Sequence, residues 1–124
     1  MVDASFPKSE KLCGKLPVEH LYKQGKRFVA WPLRVSYIES PDETNRVLIW
    51  APKSLFRHAV DRNRLRRMMR ETYRLNKSIL DQNSTNYHIA FNYIDKNIQD
   101  YRLIEKAMRK ALNKLNLLTR EKNN

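Results

Sequence analysis

Residues 62–74 read RNRLRRMMRETYR, with six arginines in thirteen positions. Placed on a helix that advances about 100° per residue, Leu65, Met68, Met69 and Thr72 gather on one side. Arg62, Arg66 and Arg70 form an i, i+4 line with Asn63, Arg67 and Arg74 next to it, while Arg64 falls toward the apolar flank. A narrow apolar stripe opposite a wide basic one dictates how such a helix docks. Its thin stripe lies on a core and its arginines face outward. The rest of the chain has to supply that core.

The surrounding pattern supplies it. PVEHLYKQ, residues 17–24, reads as a short helix, with Pro17 suited to a first helical position and Gly25 to a stop. LRVSYI, residues 33–38, alternates: Leu33, Val35 and Tyr37 point one way, Arg34, Ser36 and Ile38 the other. SPDETNR is a polar turn, VLIWA at 47–51 a more buried strand, and Pro52 its end. The basic helix runs from about Leu55 or His58 to about Leu75. STNYHIAFNYI, 84–94, reads as a further strand through Tyr87, Ile89, Phe91 and Tyr93. Asp100 caps a last helix to about Leu118, striped by Leu103, Ala107, Ala111, Leu115 and Leu118. The order helix, strands, helix, strand, helix is an α+β pattern. It predicts one domain over residues 11–118, a flexible segment at 1–10 and a fraying tail, TREKNN, at 119–124.

Charge narrows the partners. The chain holds 25 Lys and Arg against 13 Asp and Glu, a net charge of +12 over 124 residues. A surplus of this size repels itself and suits a polyanion, with nucleic acid first and an anionic membrane surface second. The single cysteine, Cys13, permits no intrachain disulfide and, with three scattered histidines, no Cys/His zinc quartet. It suits a reducing compartment. MVDASFPKSEK has no apolar secretory core and VLIWA is too short to span a bilayer. A cytoplasmic protein is expected, without a membrane role.

Two readings of the arginines compete. A solvated helix face normally mixes signs, because i, i+4 opposite charges support a helix and like charges oppose it. Within 62–74 only Glu71 offsets six arginines. Arginine also grips phosphate bidentately and stacks on bases, which lysine does not. Nucleic-acid contact is the better account.

HAVDRNRLRRMMRETYR, 58–74, resembles the protein component of bacterial ribonuclease P, through the order Ala59-Val60-x-Arg62-Asn63-Arg64-x-Arg66-Arg67-x-x-Arg70. Lys11 and Leu12, followed by a short helix ending in LYKQG, are similar to the family's N-terminal element. The resemblance covers about residues 11–115. It implies a single α+β domain like that of a ribosomal protein, with a central mixed β-sheet, about three helices and a left-handed βαβ crossover. It also implies an RNA-binding subunit that assists a catalytic RNA in removing the 5′ leader of precursor tRNA. Mg2+ acts through that RNA, and no metal, further protein partner or catalytic residue is implied for the protein. Arg62, Asn63, Arg64, Arg66, Arg67 and Arg70 would hold the catalytic RNA, with Lys53, Arg57, His58 and Arg74 beside them. Lys11, Val18, Tyr22, Arg34 and Ser36 would line a leader cleft between the first helix and the sheet. Val18 stands where the family usually has an aromatic residue. The loop PKSLFRHAV keeps the family's charge but not its glycine.

No protein active site is legible. His20, His58 and His88 fall on three different elements, and no metal triad or glycine-rich phosphate loop is present. Three rivals use the same basicity. A ribosomal protein lacks the RNRLRR order. A repressor would read bases with a few varied side chains rather than arginine at nearly every polar position. A membrane-surface helix at 100–118 lacks Trp or Phe anchors.

Overall fold

The structure, a computed structural model, describes residues 8–82 and 85–123. Its elements run α1 (Lys15–Gln24), β1 (Lys26–Ala30), β2 (Leu33–Ser40), β3 (Arg46–Trp50), α2 (Ala59–Asn76), β4 (Asn86–Tyr93) and α3 (Tyr101–Asn123). Short 3-10 turns occupy Lys8–Glu10 and Lys77–Gln82. The strands form one mixed sheet in the order β1-β2-β4-β3. β1 pairs with β2 and β2 with β4 in antiparallel register, while β3 lies parallel to β4. A parallel pair needs a crossover, and α2 lies in it.

The alternation of β2 decides the layers. Leu33 and Val35 face a core that also takes Val47, Ile89, Phe91 and Tyr93 from the neighbouring strands. Onto this face α2 brings Leu65, Met69 and Tyr73, and α3 brings Ile104, Met108, Leu112 and Leu115. Each large side chain so buried contributes roughly 1.5–3 kcal/mol. The opposite face is covered at Ala90 by Leu12 and Leu21, with Val18, Tyr22, Ile38 and Leu48 packed around them. The central strand β4 is therefore buried on both faces from Ile89 to Tyr93.

Several boundaries differ from expectation. β1 was not legible: its KRFVA buries only Ala30, as an edge strand paired on one side can. Helix α1 starts two residues early, at Lys15 after Gly14 (φ 95°), so Pro17 sits third. Its missing N–H costs nothing there, because the first four helical donors lack helical acceptors. Gly25 does end the helix, and for a steric reason: a Cβ would lie 2.4 Å from the Leu21 carbonyl oxygen and 2.8 Å from that of Tyr37.

The last helix runs past Leu118 into the segment expected to fray. α3 continues to Asn123 because Thr119 is buried, its hydroxyl donating to the Leu115 carbonyl (2.9 Å) and meeting the Tyr87 hydroxyl at 2.5 Å. At the other end, residues 8–10 of the segment expected to be flexible form a turn. Glu10 accepts from the buried Lys77 ammonium at 3.0 and 3.1 Å. Residues 1–7 and 124 lie outside the described residues. Asp100 does cap α3, accepting from the Leu103 N–H at 2.9 Å.

Candidate nucleic-acid interface

A cleft of about 830 Å³ opens between α1 and the sheet, on the face away from α2 and α3. Val18 and Tyr22 line it from α1, Arg34 from β2, Asn92 from β4 and Leu48 and Trp50 from β3. Register puts Arg34, Asn92 and Trp50 in one row, since Asn92 pairs with both of the others across its two neighbours. Above the row, the Tyr22 hydroxyl donates to Asn92 Oδ1 at 3.2 Å. The row offers a guanidinium, an amide and an aromatic ring along a mostly apolar trough. That is the chemistry single-stranded nucleic acid needs: charge for phosphate and a platform for a base.

Of the five residues expected here, Val18, Tyr22 and Arg34 line the cleft. Ser36 does not. It shares the face of Arg34 but is 1% exposed, with its hydroxyl lacking a hydrogen-bond partner. Alternation gave its side correctly; α1 lying across that side removes it from the surface. Lys11 borders a smaller neighbouring depression with Val47, Ile49 and Arg70.

Trp50 was missed as a site residue. VLIWA reads as a buried strand, yet β3 is a sheet edge and leaves Trp50 48% exposed. It brings an aromatic ring to the cleft that Val18 and Tyr22 line from α1. Asn92 was missed too. A polar residue at the end of an alternating strand gives little signal by itself, and only the register places it between Arg34 and Trp50.

The second basic surface is α2. Arg64, Arg67 and Arg70 are exposed, as are Asn63 and the preceding Lys53, Arg57 and His58. His58 is the N-cap residue, but its side chain makes no capping bond. Arg62 departs from expectation: its guanidinium turns back and donates from Nη1 to the carbonyls of Phe56 (2.8 Å) and Arg57 (3.0 Å). It fastens the loop that carries Lys53 and Arg57. Arg66 donates to the Asn63 amide oxygen, while its Nε is buried without a bond. Arg74 pairs with Glu71 at 2.5 Å, which holds the Glu71 carboxyl below its ordinary range and raises the guanidinium's pKa. The outward crest therefore consists of Arg64, Arg67 and Arg70, with Arg74 partly neutralised.

The two surfaces meet. Leu12, Cys13 and Leu48 line both the cleft and the depression that contains Arg70. A nucleic acid on α2 and one in the cleft would be separated by that thin wall.

A histidine–carboxylate pair lies at the β2–β3 turn. His88 Nε2 lies 2.7 Å from Asp42 Oδ2 and 3.0 Å from Ser40 Oγ. Both partners use the same ring nitrogen, so the imidazole cannot relay a proton from hydroxyl to carboxylate. Asp42 also pairs with Arg46 at 2.9 Å. The cluster fastens the β2–β3 turn. Among the described residues, no three His, Cys, Asp or Glu side chains gather to hold a metal ion.

Comparison with known proteins identifies the family and the fold. The family model of ribonuclease P matches residues 6–116. The ribonuclease P protein component of Porphyromonas gingivalis is 38% identical over 112 residues, spanning 85% of this chain and 82% of its own. That of Chlorobaculum tepidum is 42% identical over 82 residues, spanning 61% and 53%. The fold matches the ribonuclease P protein of Thermotoga maritima with a TM-score of 0.72 at 20% identity, over 85% of this chain and 96% of that one. It matches the Staphylococcus aureus protein at 0.70 and 18%, over 90% and 99%. The chain belongs to the ribonuclease P protein family, as an RNA-binding subunit of the ribonucleoprotein that removes the 5′ leader from precursor tRNA.

Proposed function

We propose that the two surfaces divide the RNA between them. Arg64, Arg67 and Arg70, with Lys53, Arg57 and His58, hold the catalytic RNA by its phosphates. The cleft holds the single-stranded leader of precursor tRNA, with Arg34 at a phosphate and Tyr22 and Trp50 against bases. Arg62, Asn63 and Arg66 give that surface its shape. The observation that carries this reading is the row Arg34–Asn92–Trp50 lining a trough beside a helix whose outer face is arginine.

Hydrolysis belongs to the catalytic RNA, with Mg2+ held there. Two acidic groups near these surfaces are engaged, Glu71 with Arg74 and Glu10 with Lys77. The chain's own work is to bind, orient and raise the local affinity for a polyanion. A cytoplasmic site of action goes with its exposed free thiol, Cys13.

Reconstitution tests this. The chain combined with a bacterial ribonuclease P RNA at low Mg2+ should greatly accelerate cleavage of precursor tRNA at the mature 5′ end. The Arg67→Ala/Arg70→Ala variant should lose that gain. RNA binding without any gain in cleavage would refute the assignment.

A further inference from the structure

Helix α3 carries a second set of cations for which the fold has no use. Arg102, Lys106, Arg109, Lys110 and Lys114 are all exposed. Over residues 102–117 they fall by helix geometry within about 140° of one another, together with Leu103, Asn113 and Leu117, and no acidic residue of that stretch shares the arc. Arg102–Lys106, Lys106–Lys110 and Lys110–Lys114 are i, i+4 pairs of like charge, which oppose helix formation. Arg102 also stands in the first turn, where the helix dipole disfavours a cation. Among the described residues, none of the five meets a carboxylate. The one contact is the Lys114 ammonium, 4.6 Å over the Phe28 ring. A solvated face would mix signs; over residues 102–117 this one does not.

We propose that the outer face of α3 is a second RNA-docking surface, which takes the phosphodiester backbone of the catalytic RNA alongside α2. The inference rests on α2 as the helix that holds that RNA. Placement selects the catalytic RNA over the substrate. α3 packs on the same sheet face as α2, while the cleft opens on the other. α3 packs beside α2 and the 3-10 turn that follows it: Tyr101 feels the charges of Glu105, Glu71 and Arg74, and the Asn116 amide donates to the Ile79 carbonyl at 2.5 Å. The α3 cations run from Arg102 to Lys114, about 18 Å at 1.5 Å per residue, and start beside the end of α2 that carries Glu71 and Arg74. Lysine is the commoner cation here, unlike on α2. Its point charge suits phosphate contact without sequence reading. An anionic membrane would share the charge, but over residues 102–117 the arc holds only Leu103, which is half-buried, and Leu117 as large apolar side chains, with no Trp or Phe to anchor insertion.

The test uses the full chain and ribonuclease P RNA. A neutral variant, Arg102→Gln/Lys106→Gln/Lys110→Gln, spares Lys114 and its ring contact. A charge-conserving variant, Arg102→Lys/Lys106→Arg/Lys110→Arg, controls for folding. Affinity is measured as salt is varied. The neutral variant should bind more weakly, with a log–log salt slope shallower by about two to three units, and the charge-conserving one should match wild type. Three results would overturn the proposal: an unchanged slope and affinity in the neutral variant, equal losses in both variants, or a loss confined to binding of anionic phospholipid vesicles. The α2 reading fails separately, if Arg67→Ala/Arg70→Ala leaves RNA affinity intact.

Discussion

The Tyr22 hydroxyl donates to Asn92 Oδ1 across 3.2 Å, joining α1 to the central strand of the sheet over a separation of 70 residues. Tyr22 is thus both a wall of the cleft and the fixer of the amide on its floor. Two substitutions separate these roles. Tyr22→Phe keeps the ring and leaves Asn92, only 7% exposed, without its donor, a cost of about 1–2 kcal/mol in stability. Tyr22→Ala removes the ring as well. Precursor tRNA affinity should survive the first change largely intact and fall in the second, while mature tRNA binds equally in both. Equal losses for precursor and mature tRNA would assign Tyr22 to the core alone.

Trp50 should behave as a leader platform. Trp50→Ala is expected to weaken precursor binding by about 1–3 kcal/mol, the range for loss of one base stack, and Trp50→Phe to recover most of it. Fluorescence of the wild-type chain, titrated with a short single-stranded RNA, should report the same contact. A Trp50→Ala variant with unaltered precursor affinity would leave the ring as a surface residue.

Arg62 and Arg67 should part company although they sit in one motif. Arg62→Ala removes two hydrogen bonds to the Phe56 and Arg57 carbonyls and should lower unfolding free energy by about 1–3 kcal/mol. Arg67 is exposed, so Arg67→Ala should change stability by less than about 0.5 kcal/mol and reduce the salt slope of RNA binding by about one. Urea unfolding and salt-dependent binding, measured on both, decide it.

Much of this arrangement was legible beforehand, and the remainder was hidden for identifiable reasons. The arginine helix announced itself because Leu65, Met69 and Thr72 recur at helical spacing, and all three are buried. The inward turn of Arg62 was not legible, since its acceptors belong to a loop whose path no periodicity encodes. Ser36 was assigned to the right face and the wrong environment, because alternation gives the side of a strand but not what lies over it. β1 was missed because its partner on one side carries its pairing while Lys26, Arg27 and Val29 stay exposed. Trp50 shows the converse error, an apolar run taken as interior that ends at an open edge.

The β2–β3 turn should weaken in acid. A hydrogen bond from His88, then those with Ser40 and the charge of Arg46, hold the Asp42 carboxyl below its ordinary range. Folding therefore favours the ionised form. The contribution is complete above the ordinary carboxylate pKa and disappears as pH falls through the depressed folded value. Asp42→Asn should lower the urea midpoint near neutrality, and the gap to wild type should close below about pH 4. A gap that persists unchanged into strong acid would assign the effect to packing.

Cys13 is the chain's only thiol, is exposed, and stands in the wall shared by the cleft and the Arg70 depression. A fluorophore attached there needs no engineered residue and sits at the seam between the two RNA surfaces. One native position would then register the arrival of either RNA, and the order in which the holoenzyme takes up scaffold and substrate becomes readable as two steps in a single optical trace.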